Sequence, residues 1–519
     1  MHMKFFIIAA AATLLPAILW AKESASAGVA AIMDERLAPK PVKTEYFDGL
    51  FNLVKSSKAI VETPSGLSEA QKQTIRKTFA DYWEIVPELN FLAAEKTAES
   101  SPESYSLKVA KDSIKISAGG FDGVRHALKT LRQLSEYGRD GDGYYIQSCE
   151  ISDRPALAFR ALHLCVYPET TPAALEKLVR LAAYYKFNYV IIEPWGTFPF
   201  ETHPELSFFN KAFSRAELQR IIDLAYSLGV TPIPQLSILG HASGGTDAGA
   251  KHAILTRNPK MAALLEPHGW SWCMSNPNAV KLLEEAAAEM HEFFGNPPFF
   301  HIGCDEAYDM ATCYKCRSKP IGKLLESHIT HFRNFLKKRG ARTIMWHDML
   351  VEDGDPRWKD CKANGHPGTD MKDIYKTLPK DIVIADWQYG ETRPLPEGKK
   401  YWPTSIFFKE NGFDTLICPY YLISNIKNAS RSAVDNNLYG MIATTWSRTM
   451  GNSAKVLFYT AANAAWGSDP SKYSTTWKDF RCNFNTHLRT MDIDSGIEKY
   501  EDIGSTPNVG VVRHLDQPL

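Results

Sequence analysis

From about residue 152 onwards, short apolar runs alternate along the chain with longer segments in which hydrophobic residues recur at helical spacing. Each apolar run is a candidate strand, because such a run bounded by glycine or polar residues is typical of a strand buried on both faces. The predicted strands are 161–166, 189–193, 231–236, 299–303, 342–346, 382–387, 414–418 and 440–446. The predicted helices between them include Pro172–Lys186, Ser214–Leu228, Asn278–Phe294 and Lys323–Arg339.

Eight strands that alternate with helices predict an α/β fold, a (β/α)8 TIM barrel. A doubly wound open sheet would show the same alternation. No glycine-rich phosphate loop follows the first predicted strand, however, and this disfavours a nucleotide-binding fold. In a (β/α)8 barrel the active site lies at the carboxyl ends of the strands. The residues that follow each apolar run are therefore the candidates for chemistry.

Ahead of the barrel, the pattern predicts a small α+β domain. Ser68 and Gln71 fit a capping box at the start of a segment with helical spacing. Polar and apolar residues then alternate at period two in 106–109 and 113–117, on either side of turn residues, which predicts a β-hairpin. The segment Phe121–Leu134 has the pattern of an amphipathic helix.

We expect four segments: a signal peptide in 1–27, the small α+β domain in 28–150, the barrel in 151–470 and a C-terminal extension in 471–519. Lys4 precedes an apolar run that is too short for a permanent membrane span, and Ala25–Ala27 offers a small-residue cleavage site. An uncleaved signal anchor is the alternative. We therefore expect an exported, periplasmic or extracellular protein without a stable membrane span.

Composition excludes some classes of partner. The 59 Lys and Arg residues balance the 59 Asp and Glu residues, so no overall field favours nucleic acid or an acidic membrane surface. The nine cysteines are too sparse for a disulfide scaffold, and their odd number would leave at least one unpaired. The fold must therefore rest on its hydrophobic core.

The candidate chemistry collects at the predicted carboxyl ends of the strands. Gly303 ends the fourth strand, and the adjacent carboxylates Asp305 and Glu306 follow it directly. Each such residue has an ordinary explanation, such as a helix N-cap for aspartate. Their recurrence at one end favours a site in which tryptophan faces wall a sugar ring while carboxylates reach its hydroxyls. The residues that follow the other strands are Glu193, Trp195, His241, Trp346, His347, Asp348, Asp386, Trp387, Gln388, Tyr389, Tyr420, Tyr421, Trp446, Ser447 and Arg448.

The stretch around the acid pair resembles a known signature. His301-Ile302-Gly303-Cys304-Asp305-Glu306 is similar to the His-X-Gly-Gly-Asp-Glu motif of glycoside hydrolase family 20, the β-N-acetylhexosaminidases. The likeness extends from about 105 to 465, and several pieces are similar to the hexosaminidase D branch. The resemblance implies a TIM barrel after a small domain and release of terminal β-linked N-acetylhexosamine from glycans. It implies substrate-assisted retaining hydrolysis, with no cofactor required for catalysis.

The resemblance also implies roles for individual residues. Glu306 would protonate the leaving oxygen, and Asp305 would hold the 2-acetamido group so that its carbonyl oxygen attacks the anomeric carbon. Arg160 would bind ring hydroxyls, His241 would tune the acid, and Tyr420 or Tyr421 would bond the acetamido oxygen. The full set of implied substrate-binding residues is Arg160, Glu193, His241, Trp346, Asp348, Trp387, Tyr389, Tyr420 and Trp446.

Three positions depart from the family pattern. Cys304 replaces the second glycine of the signature, Cys165 replaces the acidic residue usual near the end of the first strand, and Ser447 replaces the glutamate that usually follows the last tryptophan. These changes concern the outer contacts of the sugar. They leave open whether GlcNAc or GalNAc is preferred.

Two rival functions fit parts of the sequence. A two-carboxylate glycosidase of another family would use Glu306 as its acid and Glu193 or Asp348 as its nucleophile, and would cleave plain β-glucosides or β-galactosides. A catalytically silent sugar-binding barrel would account for the departures at Cys165 and Ser447. The intact acid pair favours the hydrolase.

A separate group of residues has the spacing of a metal site. Cys313-X2-Cys316 followed by Cys361-X4-His366 is typical of a three-cysteine, one-histidine zinc site. A structural zinc there would pin the loops after the fourth and fifth strands. A local disulfide or free thiols are the alternatives in an oxidising compartment. No sequence feature indicates an oligomeric state.

Overall fold

A computed structural model describes residues 36–94, 101–138, 143–167, 170–207, 213–243, 258–390, 402–420, 422–446 and 452–467. These residues form two compact units, of which the first runs to Pro155 and the second begins at Ala156. Among them, no helix has the length and apolar character needed to cross a membrane. The predicted signal peptide (1–27) and C-terminal extension (471–519) lie outside the described residues.

The first unit is a mixed sheet with two helices. Its strands are β1 (Lys43–Leu53), β2 (Lys58–Thr63), β3 (Glu88–Ala93), β4 (Tyr105–Val109), β5 (Ser113–Ala118), β6 (Ser135–Tyr137) and β7 (Tyr144–Asp153), and its helices are α1 (Glu69–Trp83) and α2 (Phe121–Leu134). The strand order is β1-β7-β4-β5-β2-β3, with β6 paired to β7. The predicted hairpin (β4 and β5) and helix α2 are confirmed. The capping box at Ser68 and Gln71 is also present.

The second unit alternates strands and helices as the sequence predicts. Its strands are β8 (Phe159–Val166), β9 (Tyr189–Pro194), β10 (Thr231–Pro234), β11 (Phe299–His301), β12 (Arg342–Trp346), β13 (Val383–Trp387), β14 (Asp414–Cys418) and β15 (Gly440–Thr445). Its helices are α3 (Pro172–Tyr184), α4 (Arg215–Ser227), α5 (Pro277–Phe293), α6 (Ile321–Lys338), α7 (Pro403–Glu410), α8 (Ile423–Asp435) and α9 (Asn452–Gly467). All eight predicted strands and all four predicted helices are therefore confirmed, with small shifts at their ends.

The eight strands form one parallel sheet in the order β10-β9-β8-β15-β14-β13-β12-β11. A parallel bridge between Gln235 and His301 joins its two outer strands. The main-chain N–H of Leu236 also donates to the carbonyl oxygen of His301 at 3.0 Å. The sheet thus closes on itself, and the predicted (β/α)8 barrel is confirmed. All eight carboxyl ends therefore lie at one end of the barrel.

Aromatic rings fill the barrel interior at the amino ends of the strands. The Phe159 ring stacks on that of Tyr189 with a centroid distance of 4.3 Å, and it meets the Phe299 ring edge-on at 5.4 Å. Tyr439 packs against the same group. Alternation along β8 points Phe159 and Ala161 into this core. The amino end is thus closed by ordinary hydrophobic packing.

Candidate active site

The acid pair follows β11 on a turn with unusual backbone angles. Trp346 donates its main-chain N–H to the carbonyl oxygen of Gly303 at 2.9 Å, so strand pairing continues up to that glycine. The backbone then takes φ values of +66° at Gly303, +73° at Cys304 and +50° at Glu306. A non-glycine residue in this left-handed region costs about 1–2 kcal/mol. The angle at Cys304 explains why glycine suits that position of the signature.

Two glycines let neighbouring loops touch this turn through their backbones. A Cβ on Gly303 would lie 2.9 Å from the Cα of Ser237, and a Cβ on Gly240 would overlap with the main-chain carbonyl oxygen of Asp305. A side chain at either position would clash with these atoms, so both positions require glycine. The loop after β10 therefore passes in direct backbone contact with the acid pair, and this contact brings the next residue, His241, to the carboxylates.

The His241 imidazole bridges the two acids. Its Nε2 lies 3.2 Å from Oδ2 of Asp305 and 3.4 Å from Oε2 of Glu306. Asp305 is buried, while Glu306 keeps part of its side chain exposed. Three residues predicted from sequence to act together are thus assembled at the carboxyl end of the barrel.

The surroundings of Glu306 act on its pKa in opposite directions. Burial raises the pKa of this carboxyl, and so does the charge of Asp305. Hydrogen bonds from His241 and Tyr308, together with the His241 charge, outweigh both, so that the pKa of Glu306 lies below its ordinary value. Burial, followed by the Glu306 charge, raises the pKa of the Tyr308 hydroxyl. In the free protein Glu306 is therefore held towards its ionised form.

Asp348 lies beneath the acid pair and supports it. Its Oδ2 accepts the main-chain N–H of Glu306 at 3.0 Å and the Asn364 amide at 2.8 Å. Its Oδ1 accepts the Trp387 indole N–H at 3.2 Å. Burial, together with the nearby Asp305 charge, raises the pKa of Asp348. Asp348 is fully buried and supports the turn that carries Glu306, and its predicted role in substrate binding stays a prediction.

Aromatic residues predicted as a sugar-binding wall lie close together and are fixed by hydrogen bonds. The Trp446 indole donates to the Tyr389 hydroxyl at 2.7 Å, and the Tyr420 hydroxyl donates to the carbonyl oxygen of Trp446 at 3.0 Å. The Trp387 and Tyr389 ring centroids are 5.1 Å apart. Trp346 is fully buried, 6.1 Å from the Trp446 ring. Among the residues predicted to follow the strands, Tyr421, Ser447 and Arg448 lie outside the described residues.

Glu193 belongs to a polar network inside the barrel. Its Oε1 accepts the Gln235 side-chain amide at 2.6 Å, and its Oε2 lies 3.0 Å from Nε2 of His163. The thiol of Cys165 donates to the same Oε2 at 3.5 Å. Cys165, at the position of the family's usual acidic residue, thus takes part in a buried network with a carboxylate from the next strand.

Arg160 is a correction to the sequence prediction. It is the second residue of β8 and therefore lies at the amino end of the barrel, opposite the acid pair. Alternation along the strand turns its side chain away from the interior. The guanidinium donates to the carbonyl oxygens of Lys186 at 3.1 Å and Leu157 at 2.8 Å, and it lies 5.0 Å from the Trp466 ring. Arg160 therefore cannot contact a sugar bound at the carboxyl end.

The structure separates the four predicted metal ligands into two that lie together and two that lie elsewhere. The structure brings Cys313 and Cys316 together with Cys273 and Glu266. Among the described residues, neither Cys361 nor His366 belongs to that group. Spacing along the chain suggested these two residues, but the loops fold so that a different segment, preceding α5, faces Cys313 and Cys316.

Sequence reasoning missed two residues that touch the acid pair. Trp270 donates its indole N–H to the carbonyl oxygen of Glu306 at 2.6 Å, and its ring lies 4.5 Å from that of His241. It lies in an irregular segment without strand or helix periodicity, so no pattern marked it. Tyr308, which donates its main-chain N–H to the carbonyl oxygen of Glu306 at 2.9 Å and helps to lower the pKa of the Glu306 carboxyl, lies in the signature stretch and could have been found there.

Comparison with known proteins identifies one family over both units of the chain. The family model for the catalytic domain of glycosyl hydrolase family 20 matches residues 177–460, and the model for domain 2 of the same family matches residues 34–154. A probable beta-hexosaminidase of Arthroderma benhamiae is 27% identical over 343 residues, which cover 62% of this chain and 52% of that protein. Hexosaminidase D of Bos taurus is 24% identical over 289 residues, which cover 50% of this chain and 76% of that protein.

Solved structures share the fold. A chitobiase from Flavobacterium johnsoniae aligns with a TM-score of 0.65 at 18% identity, over 90% of this chain and 74% of that one. A beta-N-acetylhexosaminidase from Bacteroides fragilis aligns with a TM-score of 0.64 at 17% identity, over 87% of this chain and 94% of that one. The chain spans about half the length of several curated relatives that it matches.

Proposed function

Because this chain belongs to glycosyl hydrolase family 20, we propose that it is an exo-acting β-N-acetylhexosaminidase that releases terminal β-linked N-acetylhexosamine from glycans. One observation carries the proposal: Nε2 of His241 lies within 3.4 Å of both Asp305 and Glu306 at the carboxyl end of the barrel. Adjacent carboxylates on one turn cannot flank a glycosidic bond from opposite sides, as a two-carboxylate retaining enzyme needs. They suit a reaction in which the substrate supplies its own nucleophile.

In the first step, we propose that the Glu306 carboxyl gives its proton to the glycosidic oxygen. The bond between that oxygen and the anomeric carbon breaks while the acetamido carbonyl oxygen bonds to the same carbon. The product is an oxazolinium ion, whose positive charge faces the Asp305 carboxylate. Asp305 also accepts the amide N–H and so fixes the attacking group. In the second step, Glu306 takes a proton from water, which adds to the anomeric carbon and restores the amide.

The protonation of Glu306 depends on the substrate. Its pKa is lowered in the free protein by His241 and Tyr308 against the effect of burial. A sugar seated over the pair would exclude water from Glu306 and strengthen the effect of burial, which raises the pKa towards the range of a proton donor. His241, placed between the two acids, would keep Asp305 ionised while Glu306 carries the proton.

The aromatic residues would enclose the sugar and its acetamido group. An indole N–H can only donate, so the bond from Trp446 to the Tyr389 hydroxyl leaves the tyrosine proton for another acceptor. We propose that this acceptor is the acetamido oxygen, in preference to the contact of Tyr389 with Thr444 in the free protein. The Tyr420 hydroxyl already donates to the Trp446 carbonyl, which makes it less suited to that role.

The rival two-carboxylate mechanism has weaker support. Its candidate nucleophiles, Glu193 and Asp348, are both at most 1% exposed. Each already accepts hydrogen bonds from neighbouring side chains or main chain at 3.0 Å or less. A carboxylate in such surroundings would have to break these bonds before it could reach an anomeric carbon.

A panel of aryl β-glycosides tests the proposed function. The 4-nitrophenyl N-acetyl-β-glucosaminide and N-acetyl-β-galactosaminide should be cleaved, and the corresponding glucoside and galactoside should react at least about a hundredfold more slowly. Equal rates with a plain 2-hydroxyl group, together with labelling of the protein by a 2-fluoro sugar, would establish the two-carboxylate enzyme instead. Binding of N-acetylglucosamine without any turnover would establish a silent sugar-binding barrel.

We also propose that the protein is exported. The proposal is supported by Lys4, the apolar run after it and the small residues Ala25–Ala27. Expression of the full-length gene in its native host, fractionation and amino-terminal sequencing of the mature protein test it. A mature chain that begins just after Ala27 is the expected result. An intact amino terminus in the cytosolic fraction would overturn the proposal.

A further inference from the structure

A second cluster of reactive side chains lies beside the active site. One potential ligand atom from each of Glu266, Cys273, Cys313 and Cys316 lies within 4.8 Å of all the others. The Sγ of Cys273 is 3.5 Å from that of Cys313 and 3.7 Å from that of Cys316. Glu266, Cys273 and Cys316 are almost fully buried. None of the four takes part in the proposed reaction.

The sulfur distances distinguish a metal site from a disulfide. A disulfide bond is about 2.05 Å long, far below either measured distance. On a tetrahedral ion with Zn–S bonds of about 2.3 Å, two sulfurs lie about 3.8 Å apart. The thiols of Cys273, Cys313 and Cys316 are therefore already close to the spacing that such an ion requires.

Glu266 provides a second, independent observation. Its Oε2 accepts the main-chain N–H of Cys313 at 2.6 Å. Its Oε1 is buried and has no hydrogen-bond partner among the residues that the structure describes. A buried carboxylate oxygen without a donor is costly unless a cation or a proton satisfies it.

We propose that Glu266, Cys273, Cys313 and Cys316 bind one structural zinc ion. Three thiolates favour zinc over magnesium, calcium or manganese, which prefer oxygen ligands. Four protein ligands complete a tetrahedral shell and leave no position for water or substrate, which marks a structural site rather than a catalytic one. This ligand set replaces the one that spacing along the chain predicts.

The zinc would join the two loops that build the active site. Glu266 and Cys273 flank a tight turn, closed by the N–H of Glu266 donating to the Ser271 carbonyl at 2.7 Å. That turn carries Trp270, which bonds the Glu306 carbonyl and packs on His241. Cys313 and Cys316 belong to the loop that follows Glu306 itself. The ion would therefore act as a positioning element that holds Trp270 against the acid pair.

Metal content of the purified full-length chain tests the site. Protein expressed without added zinc should carry about one zinc per chain by elemental analysis and native mass spectrometry. Cys273→Ser and Cys316→Ser should lose the ion, and Cys361→Ser, the matched control, should keep it. Wild-type protein without stoichiometric zinc, iron in its place, a Cys273–Cys313 disulfide, or equal loss of zinc in Cys361→Ser would each overturn the proposal.

Spectroscopy and chelation cover the case in which a cysteine variant fails to fold. Cobalt exchanged into the wild-type protein should give thiolate-to-metal absorption and tetrahedral d–d bands, which Glu266→Gln should shift. Absence of both signals would overturn the assignment. Removal of zinc by a chelator should lower the melting temperature and reduce kcat about tenfold, and added zinc should restore both. Zinc content is measured without substrate, so its outcome is independent of the proposed function.

Discussion

The two ends of the barrel are built from the same eight strands but differ in kind. At the amino end, the Phe159, Tyr189 and Phe299 rings fill the interior, and the Arg160 guanidinium is surrounded by main-chain carbonyl oxygens. At the carboxyl end, carboxylates lie side by side around His241, and non-glycine residues hold left-handed backbone angles. The amino end is stabilised by hydrophobic packing. The carboxyl end, where the proposed reaction takes place, contains neighbouring charges and unfavourable backbone angles.

The difference between the two ends shows how the fold stabilises an energetically unfavourable arrangement of charges and backbone angles at the acid pair. Neighbouring carboxylates repel one another, and a left-handed angle at Cys304 or Glu306 costs free energy. The surrounding barrel offsets these costs through burial of its aromatic amino end and through specific bonds such as that from Glu306 N–H to Asp348. Substitutions at the two ends should therefore separate catalysis from stability.

The largest expected effect on rate is at the acid pair itself. Glu306→Gln and Asp305→Asn should each lower kcat on an aryl N-acetyl-β-glucosaminide by at least about a hundredfold, because the first removes the proton donor and the second removes the carboxylate that faces the developing positive charge. The melting temperature should stay close to that of the wild type. Glu69→Gln, on an exposed helix face of the first unit, is the control and should change neither quantity. A variant of the acid pair with near wild-type kcat would remove that residue from its role.

The next largest effect on kcat is expected from a substitution at Gly303, where two segments of main chain approach closely beside the acid pair. Gly303→Ala places a methyl group 2.9 Å from the main-chain Cα of Ser237, so the turn must move. Displacement of the acids by a fraction of an ångström should reduce kcat by about ten- to a hundredfold. Gly354→Ala is the matched control, since its φ of +78° is similar but no atom lies within 4 Å. The control should lose about 1 kcal/mol of stability and keep its rate.

A smaller effect on the rate is expected from substitution of His241, which bridges the two acids. The proton donor must be protonated, so kcat/KM should fall as the pH rises through the pKa of Glu306. His241 lowers that pKa, and His241→Gln should therefore shift the alkaline limb of the profile to higher pH while reducing the maximal rate about tenfold. His331→Gln, in a surface pair with Glu284, serves as the control. An alkaline limb at its wild-type position in His241→Gln would contradict the assignment.

A substitution at the amino end of the barrel should have the smallest effect on kcat and the largest effect on the free energy of unfolding. Phe159→Ala removes a buried ring that packs on Tyr189 and Phe299, and should cost about 3–5 kcal/mol of unfolding free energy. Denaturant titration measures this change. The kcat of the folded fraction should stay within about twofold of wild type, because the ring lies at the other end of the strands. A loss of kcat as large as that of Gly303→Ala would show that the two ends are not separable.

The sequence was sufficient for features that depend on neighbouring residues. The strands, the capping box at Ser68 and the acid pair after Gly303 follow from periodicity and local motifs. The error at Arg160 is one of position along the strand, since the second residue of a barrel strand lies at the amino end, away from the acid pair. The role of Trp270 depends on an irregular segment that folds over the acids, and no local pattern encodes such a contact.

The proposed metal ligands illustrate the same limit. Cys361 and His366 have suitable spacing, but loops are positioned by tertiary contacts rather than by separation along the chain. Cys273 lies 40 residues before Cys313, and only the turn that carries Trp270 brings the two sulfurs together. The sequence therefore predicts a cysteine-rich metal site near the acid pair, and the structure identifies the side chains that lie beside Cys313 and Cys316.

The central claim is that the acetamido oxygen of the substrate is the nucleophile. A series of aryl glucosaminides with acetyl, fluoroacetyl, difluoroacetyl and trifluoroacetyl groups on the 2-nitrogen measures it directly, because each fluorine withdraws electron density from the attacking oxygen. We predict that log kcat falls steadily along the series and is lowest for the trifluoroacetyl compound. A kcat that is the same for all four substrates would contradict the account, since it would mean that the protein supplies the nucleophile.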